Sequence, residues 1–241
     1  MESLAKFHAS SILKKQADQP APRAGLLEYC RNALFAIGLR LPGEAWLLTI
    51  NYLCTNVHRL FEKDWPMVVS NVWVTPSNVV VDEDGVFQGC LDWEDTEVFP
   101  FGIAVATTHR FLGEFKTTSH KDIAVQKWTP VEGSQQLKWH FLKTLQASLD
   151  GESNVMWDER LAIAEMVGVI LDRSCGYGKI LEENDYPIVF DDDYRMSFLD
   201  QHIWGSGDSI ADWMGRRFIN AEGKLVDESL DLTDLDMVWD Y

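Results

Sequence analysis

Residues 67–93 break the apolar rhythm of the chain, and no other feature constrains the fold as strongly. Before them, apolar side chains recur every three or four positions. Leu4, Phe7, Ile12 and Leu13 do so over 2–15, and Leu26, Leu27, Cys30, Leu34 and Ile37 over 23–39. Trp46, Leu47, Ile50, Leu53, Cys54, Val57, Leu60 and Phe61 continue the pattern over 43–63. That spacing predicts three helices, each with one buried face. Breaker residues in Q-A-D-Q-P-A-P-R and L-P-G separate them. Short β-type runs follow at 67–69, 79–81 and 86–91, and D-E-D-G at 82–85 reads as a hairpin turn. Helical spacing returns at 101–112, 132–149 and 157–175, the last closing on G-Y-G as a C-cap. Shorter helices are expected at 191–204 and 209–219, with Asp208 or Ser209 capping the second.

The stretch 67–93 is the only persuasive β region, so the fold class reads as mainly α (α+β). One domain, 1–241, is expected. It comprises a helical segment (1–63), a β-hairpin region (64–95), a second helical segment (96–220) and an acidic tail (221–241). The tail carries Glu222, Asp227, Glu228, Asp231, Asp234, Asp236 and Asp240, interleaved with Leu225, Leu230, Leu232, Leu235, Val238 and Trp239. A purely solvating tail would not need those apolar residues, so it is expected to pack on the body.

The net charge of −17 repels nucleic acid and anionic membrane, so neither is an expected partner. It suits a weakly cationic ligand, or else serves only solubility. The four Cys (Cys30, Cys54, Cys90, Cys175) are widely separated, which argues against a metal knuckle and a disulfide framework. A reducing, cytoplasmic setting is expected. M-E-S-L-A-K-F-H lacks the basic start and apolar core of a signal peptide, and no apolar run approaches the length of a membrane span. Ten Trp are many for 241 residues, and that much indole surface belongs in a core or a pocket.

The chemistry-bearing stretch is N71-V-W-V-T-P-S-N78, then a hairpin, then G-C-L-D92-W-E-D-T-E-V-F-P-F-G. It resembles the catalytic segment of the aminoglycoside phosphotransferase-like kinases, particularly those of fungi. Their pattern is His-Gly-Asp-Leu, three residues, Asn, a short hairpin and Asp-Trp-Glu. Asn71 stands at the His, Val72 at the Gly, Trp73 at the catalytic Asp and Val74 at the Leu, while Asn78 and Asp92 match the two metal ligands. The likeness covers roughly 45–205. A later G-E-F segment, the L-K-W-H-F-L-K helix and the G-V-I-L-D-R helix also look like that family's C-terminal lobe. The resemblance implies a kinase-like C-terminal lobe. The N-terminal β lobe is absent, since residues 1–63 read as helices without a Gly-rich loop or a strand-borne Lys.

Phosphoryl transfer needs a catalytic base, two metal ligands and a clamp over the nucleotide. Indole has no basic lone pair, so Trp73 cannot replace the base. A general base contributes roughly 10²–10⁴-fold, and lost positioning on the order of 7–11 kcal/mol. The expectation is therefore chemistry without ATP: an enzyme of natural-product biosynthesis, a cyclase or isomerase acting on an apolar or weakly cationic small molecule. No cofactor and no protein-held metal is invoked. The expected catalytic residues are Asp92 and Glu94 as acid or base, Asn78 as hydrogen-bond donor, and His109. The expected substrate contacts are Trp73 and Trp93 as aromatic wall, Asn71, Trp139 and His140. Each has a plainer role: Asn78 and Asp92 tying their own turn, Trp73 and Trp139 as core, Glu94 and Asp95 in a solvated loop, His109 and His140 as structural histidines. Two alternatives remain, a non-catalytic pseudokinase-like binding protein and a residual Mg-ATP phosphotransferase. A homodimer is one way to cover the face that a missing lobe leaves open.

Overall fold

The computed structural model describes residues 1–13, 20–39, 41, 44–71, 74–94, 96–120, 123–149 and 159–174. The helices expected at 191–204 and 209–219, the acidic tail, Trp73 and Asp95 lie outside the described residues.

Three helices open the chain: α1 (Glu2–Leu13), α2 (Pro20–Gly38) and α3 (Glu44–Asn56), the last running into a 3₁₀ segment, Val57–Phe61. Most of the residues that repeat at helical spacing are buried, among them Leu4 and Ile12 in α1, Cys30, Leu34 and Ile37 in α2, and Trp46, Ile50 and Leu53 in α3, whereas Leu47 is exposed. One guanidinium locks the end of this unit. Arg23 of α2 donates to the backbone carbonyls of Phe61, Glu62 and Trp65, which ties α2 to the turn that follows the 3₁₀ segment.

The β-type runs form two separate ladders. β1 (Met67–Ser70) pairs antiparallel with β4 (Glu97–Pro100), and β2 (Val79–Val81) pairs antiparallel with β3 (Phe87–Cys90). D-E-D-G makes the expected turn between β2 and β3. Asp82 Oδ1 accepts from the N–H of Asp84 and Val86, and Gly85 takes φ 75°. A register shift between Val80 and Val81 marks a bulge in the short hairpin.

A third hairpin was not anticipated. β5 (Gly113–His120) pairs with β6 (Ile123–Pro130) over eight residue pairs, so residues 67–93 are not the only β region. Residues 101–112, expected as a helix, form a 3₁₀ segment, Ala104–Phe111. α4 (Ser134–Ser148) and α5 (Glu159–Ser174) match the helical spacing that predicts them. The described fold is thus α+β, helices with small two-stranded sheets around one apolar core. No described helix is long and apolar enough to cross a membrane.

P-F-G at 100–102 sets how the 3₁₀ segment meets α5. Gly102 takes φ 101°, and a Cβ there would lie 2.7 Å from the Cβ of Ala164. A Cβ on Gly168 of α5 would meet the carbonyl oxygen of Ile103 at 2.5 Å. Gly102→Ala combines a left-handed backbone with a clash and should destabilise by about 2 kcal/mol or more. Urea denaturation reads this directly; a loss under about 0.5 kcal/mol would show that the segment shifts freely off α5.

Candidate functional site

The end of the β2–β3 hairpin gathers most of the residues singled out by sequence. Pro76 presets the backbone for a turn in which the Asn78 N–H donates to the Thr75 carbonyl at 2.9 Å. The Leu91 N–H then donates to the Asn78 carbonyl at 2.7 Å, one step beyond the Val79–Cys90 pair. Asn78 therefore lies opposite Leu91, with Asp92 next along the chain. The Asn78 side-chain oxygen accepts from the Ser77 hydroxyl at 3.4 Å.

Asn71 holds the other side of this mouth. It is 3% exposed, and its amide nitrogen donates to the carbonyls of Leu91 (3.1 Å) and Asp92 (3.2 Å). Its side-chain donor is thus directed at the backbone of 91–92. Asp92 sits at φ 54°, and no other described non-glycine residue has positive φ. That conformation costs an L-residue roughly 1–2 kcal/mol, less for Asp than for most. A buried amide that grips the carbonyls of the two peptides flanking the Asp92 Cα is what keeps the chain there. The result is an exposed Asp92 on a fixed backbone.

Apolar surface flanks that carboxylate. Leu91 is 52% exposed and Trp93 47%. Trp93 is not a loose side chain: its indole N–H donates to the Cys90 carbonyl at 2.8 Å, and its ring stands edge-on to Phe7 of α1 at 6.0 Å. Glu94 is exposed beside it, and Thr96 closes the turn by donating its hydroxyl to the Trp93 carbonyl at 2.6 Å. No group of three or more metal-ligating side chains forms among the described residues.

His109 is placed elsewhere. It is 2% exposed in the 3₁₀ segment, and its Nε2 lies 2.6 Å from Glu165 Oε1 on α5. A carboxylate can only accept, so Nε2 carries the proton. Lys138 of α4 reaches the same oxygen at 3.7 Å. Burial pushes the Glu165 carboxyl up, but the Lys138 charge and the His109 hydrogen bond outweigh it and hold the group at about 2. Sequence reasoning missed Glu165 and Lys138. The available signal was a single charge inside L-A-I-A-E-M-V-G-V-I-L, an apolar run where an unpaired carboxylate would not be tolerated.

Trp139 and His140 lie on the exposed side of α4, Trp139 at 61%, with the Lys143 ammonium 4.9 Å from its ring centre. The residues expected to act together therefore divide into three groups. Asn71, Asn78, Asp92, Trp93 and Glu94 share the hairpin mouth, His109 is with Glu165 and Lys138 between the 3₁₀ segment Ala104–Phe111, α4 and α5, and Trp139 with His140 is on an open helix face. Compared with models of known families, with curated proteins and with solved structures, the chain matches none.

Proposed function

We propose that this chain is an ATP-independent enzyme of small-molecule biosynthesis, a cyclase or isomerase, built on a truncated kinase-like C-terminal lobe. Asp92 serves as its acid–base group. The observation that carries the reading is the Asp92 backbone at φ 54°, pinned by the buried Asn71 amide. Strained residues persist where surrounding structure over-determines them, and such positions cluster at functional sites. A fixed carboxylate beside Leu91 and Trp93 fits proton transfer on an apolar or weakly cationic substrate held against the indole. The adjacency of Asn78 and Asp92 across the hairpin is what a phosphotransferase ancestry would leave behind. Separated thiols, with Cys30, Cys54 and Cys90 free, fit the cytoplasm.

A second reading rests on a different observation. Val80, Val81 and Val86 are 43%, 52% and 45% exposed, so the hairpin presents apolar surface well beyond Asp92. That favours a binding protein that docks a partner or sequesters a ligand.

One experiment separates these readings. A panel of apolar, carbonyl-bearing small molecules is screened for thermal stabilisation, and binders are followed by chromatography for products of unchanged mass. The enzyme reading expects turnover that falls about 10²–10⁴-fold in Asp92→Asn while the stabilisation by ligand persists. Binding without conversion would establish the binding reading instead, and conversion unaffected by Asp92→Asn would take the acid–base role away from Asp92. Calorimetry with millimolar Mg-ATP should give no heat; a clear signal would revive phosphoryl transfer.

A further inference from the structure

Helix α1 is attached to the body differently from its neighbours. Arg23 ties α2 to the carbonyls of Phe61, Glu62 and Trp65, and Tyr52 and Arg59 both bind Glu159 of α5. Arg160 of α5 pairs with Glu62 and Asp64, and Arg110 pairs with Asp172. Nothing comparable holds α1. Its Lys6 pairs with Glu2 of the same helix. Among the described residues its side chains make one hydrogen bond to the rest of the fold, in which the Phe87 N–H donates to Ser3 Oγ at 3.1 Å. The remaining attachment is apolar. Phe7 packs on Phe87 and Trp93, with ring centres at 5.2 and 6.0 Å, and His8 stands edge-on to Phe141 of α4 at 5.9 Å. Leu4, Ala5, Ala9 and Ile12 are buried. Two adjacent side chains thus join the β2–β3 side of the fold to α4.

One of those two side chains is a group that acid charges. His8 is 3% exposed and its Nε2 has no hydrogen-bond partner, so the site accepts a neutral ring and penalises an imidazolium. The elements packed against α1 supply no counter-charge. α4 carries Lys138, His140 and Lys143, β1 has no titratable side chain, and β3 has Cys90, whose thiol burial pushes up to about 11. His140 does act on α1, but on the exposed Glu2, whose carboxyl is lowered chiefly by Lys6 and in small part by His140. That attraction favours the docked helix and is screened by water. We propose that α1 is an acid-released clasp: protonation of His8 undocks it from α4 and from the β2–β3 hairpin while α2, α3 and α5 stay folded, baring Phe87, Phe141 and the inner side of Trp93. Apolar contacts and one hydrogen bond are all that must break, whereas freeing α2 or α5 would also break charged ties. Release takes Phe7 away from Trp93, whose indole flanks Asp92, and does so whether or not Asp92 acts as an acid–base group.

Hydrogen exchange of the full chain, read by mass spectrometry at pH 7 and pH 5 and corrected for intrinsic exchange at each pH, tests this. Protection of the α1 amides 5–13 should fall about 20-fold between the two, as expected for a ring that titrates at about 4 when docked and 6.5 when released. Exchange should run through a small opening, so α1 should exchange faster than α3 and α5 and its rate should hardly change up to about 1 M urea. The α3 and α5 rates should rise steeply over the same range, because their amides need global unfolding. In His8→Leu, with folding checked by a melting curve, α1 should keep its pH 7 protection at pH 5. An α1 pH effect that survives in His8→Leu would overturn the proposal. So would α1 exchange that matches α3 and α5 in rate and urea slope, a result read on the native chain alone, since acid would then act only on the fold as a whole.

Discussion

Glu165→Ala should cost about 3–5 kcal/mol of stability, the largest loss expected from one side chain here. The substitution takes away the acceptor of the His109 N–H and leaves Lys138, only 21% exposed, without the oxygen it faces. Removing one member of a buried charged group is costlier than never building the group, because the partners remain desolvated. Glu165→Gln keeps the shape and an acceptor, so it should lose less. The pH dependence identifies the cause. Glu165 is held at about 2, below its ordinary value of 4.5. A lowered folded-state pKa means the ionised form is favoured in the native state, so its stabilisation is complete above about 4.5 and is lost as pH falls through about 2. The gap is worth on the order of 3 kcal/mol at 1.36 kcal/mol per unit. Urea midpoints of the native protein and Glu165→Gln should therefore differ at pH 7 and converge near pH 2. An equal difference at both ends would assign the effect to packing instead of charge. Lys138→Met should move the acid transition to higher pH, since the Lys138 charge is the chief influence that lowers this carboxyl.

How far these features could be read from sequence depends on what holds each one. The helices were legible because their apolar spacing is local, and α1, α4 and α5 begin and end within a few residues of the periodic stretches. The β5–β6 hairpin was not. Its strands, G-E-F-K-T-T-S-H and I-A-V-Q-K-W-T-P, carry little apolar alternation and no Gly- or Asn-based turn between them. Its pairing joins Phe115 to Trp128, a contact invisible along the chain. The hairpin mouth was legible as a set of residue types, since Asn78 and Asp92 flank a recognisable turn. Its decisive property was not: Asp92 takes its conformation with the help of Asn71, 21 residues earlier, and no local propensity announces that bond. His109 shows the same limit. Its position after P-F-G was plain, but its partner is 56 residues away on another helix, so burial and pairing came only with the fold.

Lowering the pH from 6.5 to 4 should destabilise the protein by about 3 kcal/mol through His8 alone. This histidine is 3% exposed on α1, its ring edge-on to Phe7 and to Phe141 of α4. Its Nε2 has no hydrogen-bond partner, so nothing offsets the loss of water. Burial alone pushes the imidazole down to about 4 from 6.5. The native state keeps the ring neutral, whereas the unfolded chain protonates it. Between 6.5 and 4 the unfolded state thus binds more protons, and stability declines as pH falls; below about 4 this contribution levels off. The loss spans about 2.5 units at 1.36 kcal/mol each. His8→Leu is close in volume, removes the unpaired nitrogen and leaves nothing to protonate. The variant should be more stable than the native protein at pH 5 and should lack the slope between 6.5 and 4, read from urea midpoints at each pH. A slope that survives in His8→Leu would move the acid sensitivity to another group. Glu165 cannot stand in for it, because its stabilisation is lost in a lower window, from about 4.5 down to about 2. The two substitutions therefore cut different parts of one acid-unfolding curve, the upper limb at the α1–α4 contact and the lower limb where α4, α5 and the 3₁₀ segment meet.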